Sequence, residues 1–297
     1  MIKRDKMNSK RLITVFLIPF LSLNAYSWSS KEHRLMAYIA EEHLTKSTRV
    51  ILAHYLNHSI VEYSTWMDRV RKSPEYKHTT FWHSATMAED GSFPEDGKGK
   101  AIPALNNAIK ILENYREYDD STVFVNILYV IHLVPEIHCP SHCFYYDLGD
   151  PKTADSRFHQ KVYFDGKIKK YHSVWDSSIS TLYPGLTLDE YKDKFDNWSP
   201  TMQRSISDGT PEDWMRDIAS ICRKIYDLAE PDTKIGIDFL RLHKDIPESM
   251  VPRAAYRLAR VLNDIFDKEQ PSRQRMNIRC CHKSRQSQNH AKRRKNN

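Results

Sequence analysis

Eight histidine, aspartate and glutamate residues, preceded by a tryptophan, lie between residues 28 and 176 at spacings that could hold metal ions. They are Trp28, His33, Asp68, His83, His132, Glu136, His142, His172 and Asp176. His132 and Glu136 are four positions apart, as are His172 and Asp176, so each pair would share one face of a helix. Zinc prefers histidine nitrogen and carboxylate oxygen, and several ions together can clamp both oxygens of a phosphodiester displacement. The set predicts a multi-zinc site suited to phosphoester hydrolysis.

Residues 1–27 have the features of a secretory signal peptide. Basic residues precede an apolar stretch at residues 12–23, and Ala25 and Ser27 place small side chains where a signal peptidase cuts. The stretch is short for a transmembrane helix, although an uncleaved anchor is the alternative. Cleavage would give Trp28 a free α-amino group with a pKa near about 8, which a metal could deprotonate. We expect a secreted or periplasmic protein without an integral membrane span after cleavage.

The net charge of +7 is distributed unevenly along the chain. Residues 1–27 carry +4 and residues 268–297 carry +9, which leaves −6 for residues 28–267. The mildly acidic central part gives no general electrostatic argument for nucleic-acid binding. Residues 268–297 are basic and poor in large apolar side chains, which predicts a disordered tail. This tail could bind nucleic acid or the cell envelope, or it could be a solvated terminus with no partner.

Apolar spacing predicts that residues 28–267 form one mainly helical domain, an all-α fold with the multi-zinc site at one cleft. Residues 121–134 are expected to form a buried helix capped by Ser121. Thr210 and Pro211 are typical of a helix start, and this helix should run to about Ala229. A last helix is expected over residues 253–267. Residues 161–166 could form a small hairpin or a loop excursion.

The five cysteines and one further histidine leave several interpretations open. An exported protein can form disulfides, and Cys139 and Cys143 could form a local one. An odd number of cysteines leaves at least one thiol unpaired if pairing is intramolecular. His138 lies beside the densest group of candidate ligands and could orient one of them.

Five motifs in this order resemble the S1/P1 nuclease family, zinc-dependent enzymes whose mature chain begins with tryptophan. They are Trp28-x4-His33, Trp66-Met67-Asp68, Trp82-His83, His132-x3-Glu136-x5-His142 and His172-x3-Asp176. The resemblance spans residues 28–176 and implies three zinc ions. In that family pattern, Asp68, His83, His132 and Glu136 would hold the first ion, His142, His172 and Asp176 the second, and Trp28, His33 and Glu136 the third. It also implies that Asp68 and Glu136 are catalytic.

Arg71 is a candidate for substrate binding, since it follows Asp68 by three positions and arginine suits bidentate phosphate contacts. A plain surface arginine is the alternative. The resemblance implies a monomeric, secreted enzyme that cleaves single-stranded DNA or RNA to 5′-phosphate products. It further implies that 3′-nucleotides could be substrates through a 3′-nucleotidase activity.

Departures from the family pattern keep two other functions open. Glu136 follows Pro135 where the family has Gly-Asp, and Cys139 stands where the family has glutamine. Residues 152–170 replace a Gly-Gly-Asn segment before the last histidine motif. One alternative is a zinc phospholipase C. The other is a zinc-bound, non-catalytic protein that binds nucleic acid or the envelope.

Overall fold

The computed structural model describes residues 28–94, 97–145 and 157–267, and these residues are mainly helical, as predicted. The helices are α1 (Ser30–Glu42), α2 (Lys46–Tyr55), α3 (Ile60–Tyr63), α4 (Trp66–Val70), α5 (Ala101–Glu113), α6 (Asp120–Glu136), α7 (Tyr171–Asp176), α8 (Ser178–Leu182), α9 (Leu188–Phe195), α10 (Pro200–Ser207), α11 (Pro211–Asp227), α12 (Ile237–Leu242) and α13 (Asp245–Phe266). The predicted signal peptide, the predicted tail and residues 152–156 of the altered loop lie outside the described residues.

Helix α6 runs through the core and carries two of the candidate ligands at its C-terminal end. Its side chains are apolar on almost every face, which is typical of a helix buried on all sides. Asp119 caps it by accepting a hydrogen bond from the Thr122 amide at 3.0 Å, so the predicted cap at Ser121 was wrong by two positions. Pro135 lies inside the last turn and lacks the amide that would bond to the Ile131 carbonyl, and the helix ends at Glu136, after which the amides of His138 and Cys139 donate to carbonyls only three residues back.

Helices α1, α5 and α13 pack around α6 and complete the main core. Helix α13 is longer than predicted. The expected start was Arg253, directly after Pro252, but the observed helix begins at Asp245 and continues through that proline. The start of α11 was predicted correctly: Thr210 and Asp213 form a capping box around Pro211. This helix ends at Asp227 rather than near Ala229.

The strands form two small sheets, one of which joins two parts of the candidate site. They are β1 (Ala85–Met87), β2 (Cys143–Tyr145), β3 (Lys161–Phe164), β4 (Lys167–Lys170) and β5 (Lys234–Ile235). Strands β1 and β2 are parallel, with Ala85 paired to Cys143. Strands β3 and β4 form a hairpin, which is the first of the two alternatives for residues 161–166, and β5 adds to β3 in parallel. None of the described helices is both long and apolar enough to cross a membrane.

Candidate metal centre

The candidate ligands come from distant parts of the chain that the fold brings to the C-terminal end of α6. His33 lies on α1, Asp68 on α4, and His83 ends a short 3-10 helix at residues 77–83. The Ala85 amide donates to the His142 carbonyl at 2.9 Å, so the pairing of β1 with β2 brings the chain segments of His83 and His142 together. Helix α7 supplies the last two candidates, His172 and Asp176.

Glu136 lies at the middle of this arrangement, and its side chain is fully buried. One carboxylate oxygen, Oε2, is 3.1 Å from His33 Nε2. The other, Oε1, is 3.2 Å from His83 Nδ1 and 3.1 Å from His142 Nδ1. Contacts from three imidazoles to one carboxylate are expected of a residue that would bridge metal ions.

Three groups of side chains offer ligand atoms that all lie within 4.8 Å of one another. They are His33 with His132 and Glu136, Asp68 with His83 and His132, and Cys139 with His142 and Asp176. Seven of the nine residues in the predicted ligand set are therefore gathered into compact groups. The third group contains Cys139 in a place where the family pattern puts His172.

The orientation of two imidazoles is set by backbone carbonyls. His132 Nδ1 donates to the Ser64 carbonyl at 2.8 Å, which leaves the lone pair on Nε2. His172 Nδ1 is 3.2 Å from the Phe158 carbonyl, and its ring stacks on the Phe158 ring. A hydrogen bond of this kind fixes the tautomer of a metal-binding histidine. Both rings are thus held in a form that can donate a lone pair from Nε2.

Burial and neighbouring charges set the protonation of the centre. Burial lowers the pKa of His132 to about 3 and that of His172 to about 4, so both rings are neutral near pH 7. Burial alone would raise the pKa of Glu136, but the charge and hydrogen bonds of the surrounding histidines hold it well below its ordinary value. The glutamate is therefore ionised. Neutral imidazoles beside an ionised carboxylate are the forms that bind a divalent cation. His142 differs: burial alone would lower its pKa, but the neighbouring Cys139 and Glu136 raise it well above its ordinary value, so a metal ion at this ring would displace a proton.

Two buried polar atoms support this assignment. His83 Nε2 and Asp176 Oδ2 are inaccessible to solvent and make no hydrogen bond among the described residues. Most buried polar atoms in proteins do have a hydrogen-bond partner, so such atoms need a physical explanation. Metal coordination supplies one, because histidine nitrogen and carboxylate oxygen are zinc ligands. The residues present therefore fit the zinc ions that the sequence implies.

Trp28 is buried at the end of α6. Its indole nitrogen donates to the Pro135 carbonyl at 3.0 Å, and the next residue's amide, that of Ser29, donates to the Asp176 carbonyl at 2.8 Å. These two hydrogen bonds hold the Trp28 backbone between the helix of Glu136 and the helix of Asp176.

Arg71 is only 5% exposed, so its interpretation as a plain surface arginine was wrong. Its guanidinium lies 3.7 Å from an Asp68 carboxylate oxygen. The Asp68 side chain is 14% exposed, while those of His33, His132 and Glu136 are fully buried. Asp68 therefore lies on the side of the centre that is nearer to solvent, with the Arg71 guanidinium beside it.

Two interpretations of the residues beside Glu136 were wrong: the local disulfide of Cys139 and the role of His138 in orienting a ligand. Cys139, Cys143 and Cys222 are all free and buried, so the local disulfide between Cys139 and Cys143 does not form. His138 does not contact a candidate ligand through its ring nitrogens. Its Nδ1 donates to the Val134 carbonyl at 2.7 Å, and its Nε2 accepts from the Arg257 guanidinium at 2.9 Å.

Sequence reasoning missed the position of Cys139 inside the centre. The Cys139 amide donates to the Glu136 carbonyl and the His142 amide donates to the Cys139 carbonyl, each at 3.1 Å. Successive bonds between residues three apart bring their side chains onto one face. The available signal was the spacing of three residues from Glu136 to Cys139 and three more to His142.

The fold and the site define a mainly helical protein with a buried centre suited to more than one metal ion. A comparison with known families matches residues 28–267 to S1/P1 Nuclease, and the chain belongs to this family. Family membership supports nuclease activity on nucleic acid and the use of metal ions.

Curated relatives match most of the chain at low identity. Nuclease S1 of Aspergillus oryzae (strain ATCC 42149 / RIB 40) is 23% identical over 281 residues, covering 83% of this chain and 94% of that protein. Endonuclease 3 of Arabidopsis thaliana is 22% identical over 284 residues, covering 86% and 94%. Endonuclease 4 of the same plant is 21% identical over 294 residues, covering 85% and 93%.

Proposed function

We propose that this protein is a zinc-dependent nuclease that hydrolyses single-stranded DNA or RNA to 5′-phosphate products. A 3′-nucleotidase activity is the second reaction that we propose, and the protein acts as a monomer. The observation that carries the proposal is the buried Glu136 carboxylate, which contacts His33, His83 and His142 at positions that match the family pattern. The names of the relatives, Nuclease S1 and Endonuclease 3, support the same reaction class.

Zinc would be held by the predicted ligand set, with Glu136 shared between ions. When bound, zinc ions can activate water for attack on phosphorus and neutralise charge that develops on phosphate oxygens. The ionised Glu136 and the neutral His132 are already in the protonation states that ligation requires. Burial of these side chains excludes bulk water, which strengthens their electrostatic contribution.

We place the substrate on the side of the metal centre where Asp68 and Arg71 lie. The Asp68 side chain is more exposed than those of His33, His132 and Glu136. An Arg71 guanidinium nitrogen lies 3.7 Å from an Asp68 carboxylate oxygen. An arginine can hold a phosphate through two parallel N–H donors. In this arrangement Arg71 binds and orients the phosphodiester, while Asp68 keeps the guanidinium in position and serves as a metal ligand.

We also propose export, with removal of residues 1–27, so that the Trp28 α-amine joins the third metal site with His33 and Glu136. The hydrogen bonds of Trp28 to Pro135 and of Ser29 to Asp176 support this, because they hold the Trp28 backbone near the end of α6. The basic residues 268–297 would then be an exported tail.

The experiment that tests the function is turnover by purified protein on four substrates: single-stranded DNA, RNA, a 3′-nucleotide and phosphatidylcholine. We expect nucleic-acid cleavage that a chelator abolishes and added zinc restores. Turnover of phosphatidylcholine alone would make the protein a phospholipase C instead. Full zinc content without turnover of any of the four would support the non-catalytic alternative.

The Arg71→Ala variant tests the substrate side of the centre. We expect it to raise KM for single-stranded DNA and to keep its zinc, since Arg71 contacts phosphate in our proposal. Arg69→Ala is the matched control, because Arg69 lies on α4, directly before Val70 and Arg71, and is exposed. An unchanged KM in Arg71→Ala would remove Arg71 from the substrate site.

A further inference from the structure

We infer that Cys139 is a metal ligand, so that the second metal site contains a thiolate together with His142 and Asp176. These three residues form one of the compact groups described above, and all three are buried. The Cys139 sulfur lies 3.4 Å from Asp176 Oδ1, and His142 Nε2 lies 3.1 Å from the same oxygen. This inference rests on the proposed metal centre and adds to it a sulfur ligand.

The separations between these atoms match those between neighbouring ligands of one ion. With Zn–S of about 2.3 Å and Zn–N or Zn–O of about 2.0 Å, a tetrahedral site places sulfur about 3.5 Å from oxygen and nitrogen about 3.3 Å from oxygen. The observed distances of 3.4 Å and 3.1 Å are close to both values. The three side chains can therefore share an ion without large rearrangement.

A second observation comes from Asp176 itself. Its Oδ1 accepts hydrogen bonds from the Ser141 hydroxyl at 3.2 Å and from the Cys139 thiol. The same oxygen contacts His142 Nε2. Its Oδ2 is buried and makes no hydrogen bond within the described part of the chain, although the residue is only 4% exposed. Burying a carboxylate oxygen without a hydrogen bond is costly, and a cation bound to this carboxylate would offset that cost.

The backbone places Cys139 in the site for a local reason. The two successive turns from Glu136 through Cys139 to His142 align these side chains on one face. Cys143 and Cys222 are also buried and free, but neither belongs to a compact group of candidate ligands. On metal binding, the Cys139 S–H bond breaks, its proton passes to solvent, and the sulfur electron pair binds the ion.

A sulfur ligand changes the metal preference of the second site. Thiolate is a soft ligand that favours zinc over magnesium, calcium and manganese, which carboxylates and water suit better. We therefore expect the second site to retain zinc in the presence of excess magnesium.

X-ray absorption at the zinc edge and the electronic spectrum of cobalt-loaded protein test this inference directly. We expect sulfur scattering at about 2.3 Å from zinc. Cobalt-loaded protein should show intense thiolate-to-cobalt charge transfer in the near ultraviolet. Both signals should be lost in Cys139→Ser and kept in the matched variants Cys143→Ser and Cys222→Ser. Zinc affinity of the second site should fall at least about tenfold in Cys139→Ser.

The outcomes separate this inference from the wider proposal. Cys139→Ser retains a hydroxyl that can donate to Asp176, so unchanged zinc affinity would show that the thiol acts only as a hydrogen-bond donor. Metal-loaded wild-type protein without a sulfur signal would overturn the thiolate ligand and leave the nuclease proposal intact. Failure of wild-type protein to bind zinc or cobalt at all would overturn both.

Discussion

Glu136 and His138 are only two residues apart, yet they belong to two buried polar clusters of opposite character. The cluster around His138 is centred on Arg257, whose three guanidinium nitrogens all have partners. Its Nε donates to the Ile206 carbonyl at 2.9 Å, one terminal nitrogen to His138 at 2.9 Å, and the other to Asp217 at 3.3 Å. The chain's own atoms therefore complete this cluster.

The cluster around Glu136 is not completed in the same way. His83 Nε2 and Asp176 Oδ2 are buried atoms without a hydrogen bond among the described residues. The ionised Glu136 carboxylate is buried near the side chains of Asp68 and Asp176, and its contact with His142 keeps a proton on that ring until a metal ion replaces it. Burying charge in this form is costly unless a cation balances it. Polar groups that are buried but incompletely bonded thus distinguish a binding centre from a structural network in this molecule.

The two clusters also differ in how burial affects protonation. Burial, with the nearby positive charge of Arg257, holds the pKa of His138 well below its ordinary value, so His138 stays neutral and accepts a hydrogen bond. Burial lowers the pKa of Arg257 to about 10, and it remains charged near pH 7. The structural cluster therefore carries a single buried cation, whereas the Glu136 cluster concentrates carboxylates and imidazoles.

Glu136→Gln should have the largest effect of any single change in either cluster. It removes a negative charge that contacts His33, His83 and His142, and the proposed bridge between ions is lost. We expect zinc affinity to fall by at least about a hundredfold and nuclease activity to be lost with it. Elemental analysis and chelator competition measure the affinity.

His138→Gln, in the same turn, is the matched control and should keep both zinc and activity. Glu136→Asp sharpens the test, since it restores the residue of the family pattern but withdraws the carboxylate by about 1.5 Å. We expect partial loss, because both oxygens of Glu136 are now within 3.2 Å of imidazole nitrogens. Full zinc content in Glu136→Gln would contradict a bridging role.

One additional glycine before Trp28 should remove a single metal ion from the Glu136 cluster. The extra residue converts the proposed α-amine ligand into a peptide nitrogen, which does not bind zinc comparably. The ratio of zinc to protein should fall by one ion, with the Arg257 cluster and the fold unaffected. Native mass spectrometry measures this ratio. The same zinc content with and without the glycine would show that the amine is not a ligand.

Local sequence signals predicted those parts of the fold that depend on neighbouring residues. Thr210 and Pro211 define the start of α11, and the turn at Asp165 and Gly166 has the positive φ angles that such a hairpin needs. The spacing of His132 and Glu136 predicted that both side chains share one helical face, because they are four residues apart. Both side chains lie in the buried centre.

Long-range packing determined the features that the sequence did not reveal. The approach of His142 to His83 depends on the pairing of β1 with β2, strands of three residues each, which are too short to show a periodic pattern. Helix α13 continues through Pro252 because its packing against α1, α6 and α10 outweighs the local cost of proline.

Arg257→Ala should destabilise the fold without affecting metal content, which is the opposite outcome to Glu136→Gln. The change leaves His138 Nε2 and the Ile206 carbonyl without their donor and opens a cavity beside the Trp214 ring. We expect a loss of about 2–4 kcal/mol in the free energy of unfolding. Urea unfolding of metal-loaded and chelated protein measures it.

The control for this change is Arg241→Ala, in an exposed ion pair with Asp238 on α12. Its effect should stay within about 0.5 kcal/mol. If Arg257→Ala removed zinc while leaving the unfolding free energy unchanged, the Arg257 cluster would be part of the metal centre and the contrast between the clusters would fail.

Asp217→Asn should produce the smallest effect, because it alters the structural cluster at its exposed end. The Asp217 side chain is 58% exposed, whereas that of Arg257 is 1% exposed. Solvent and salt screen an ion pair of this kind, so we expect a loss below about 1 kcal/mol that shrinks further at high salt. Asparagine can still accept a hydrogen bond from the guanidinium. Urea unfolding at low and high salt provides the measurement. A loss as large as that of Arg257→Ala, unchanged by salt, would mean that the charge of Asp217 is needed to keep Arg257 buried, and the Arg257 cluster would then depend on a charge partner much as the Glu136 cluster is proposed to depend on metal.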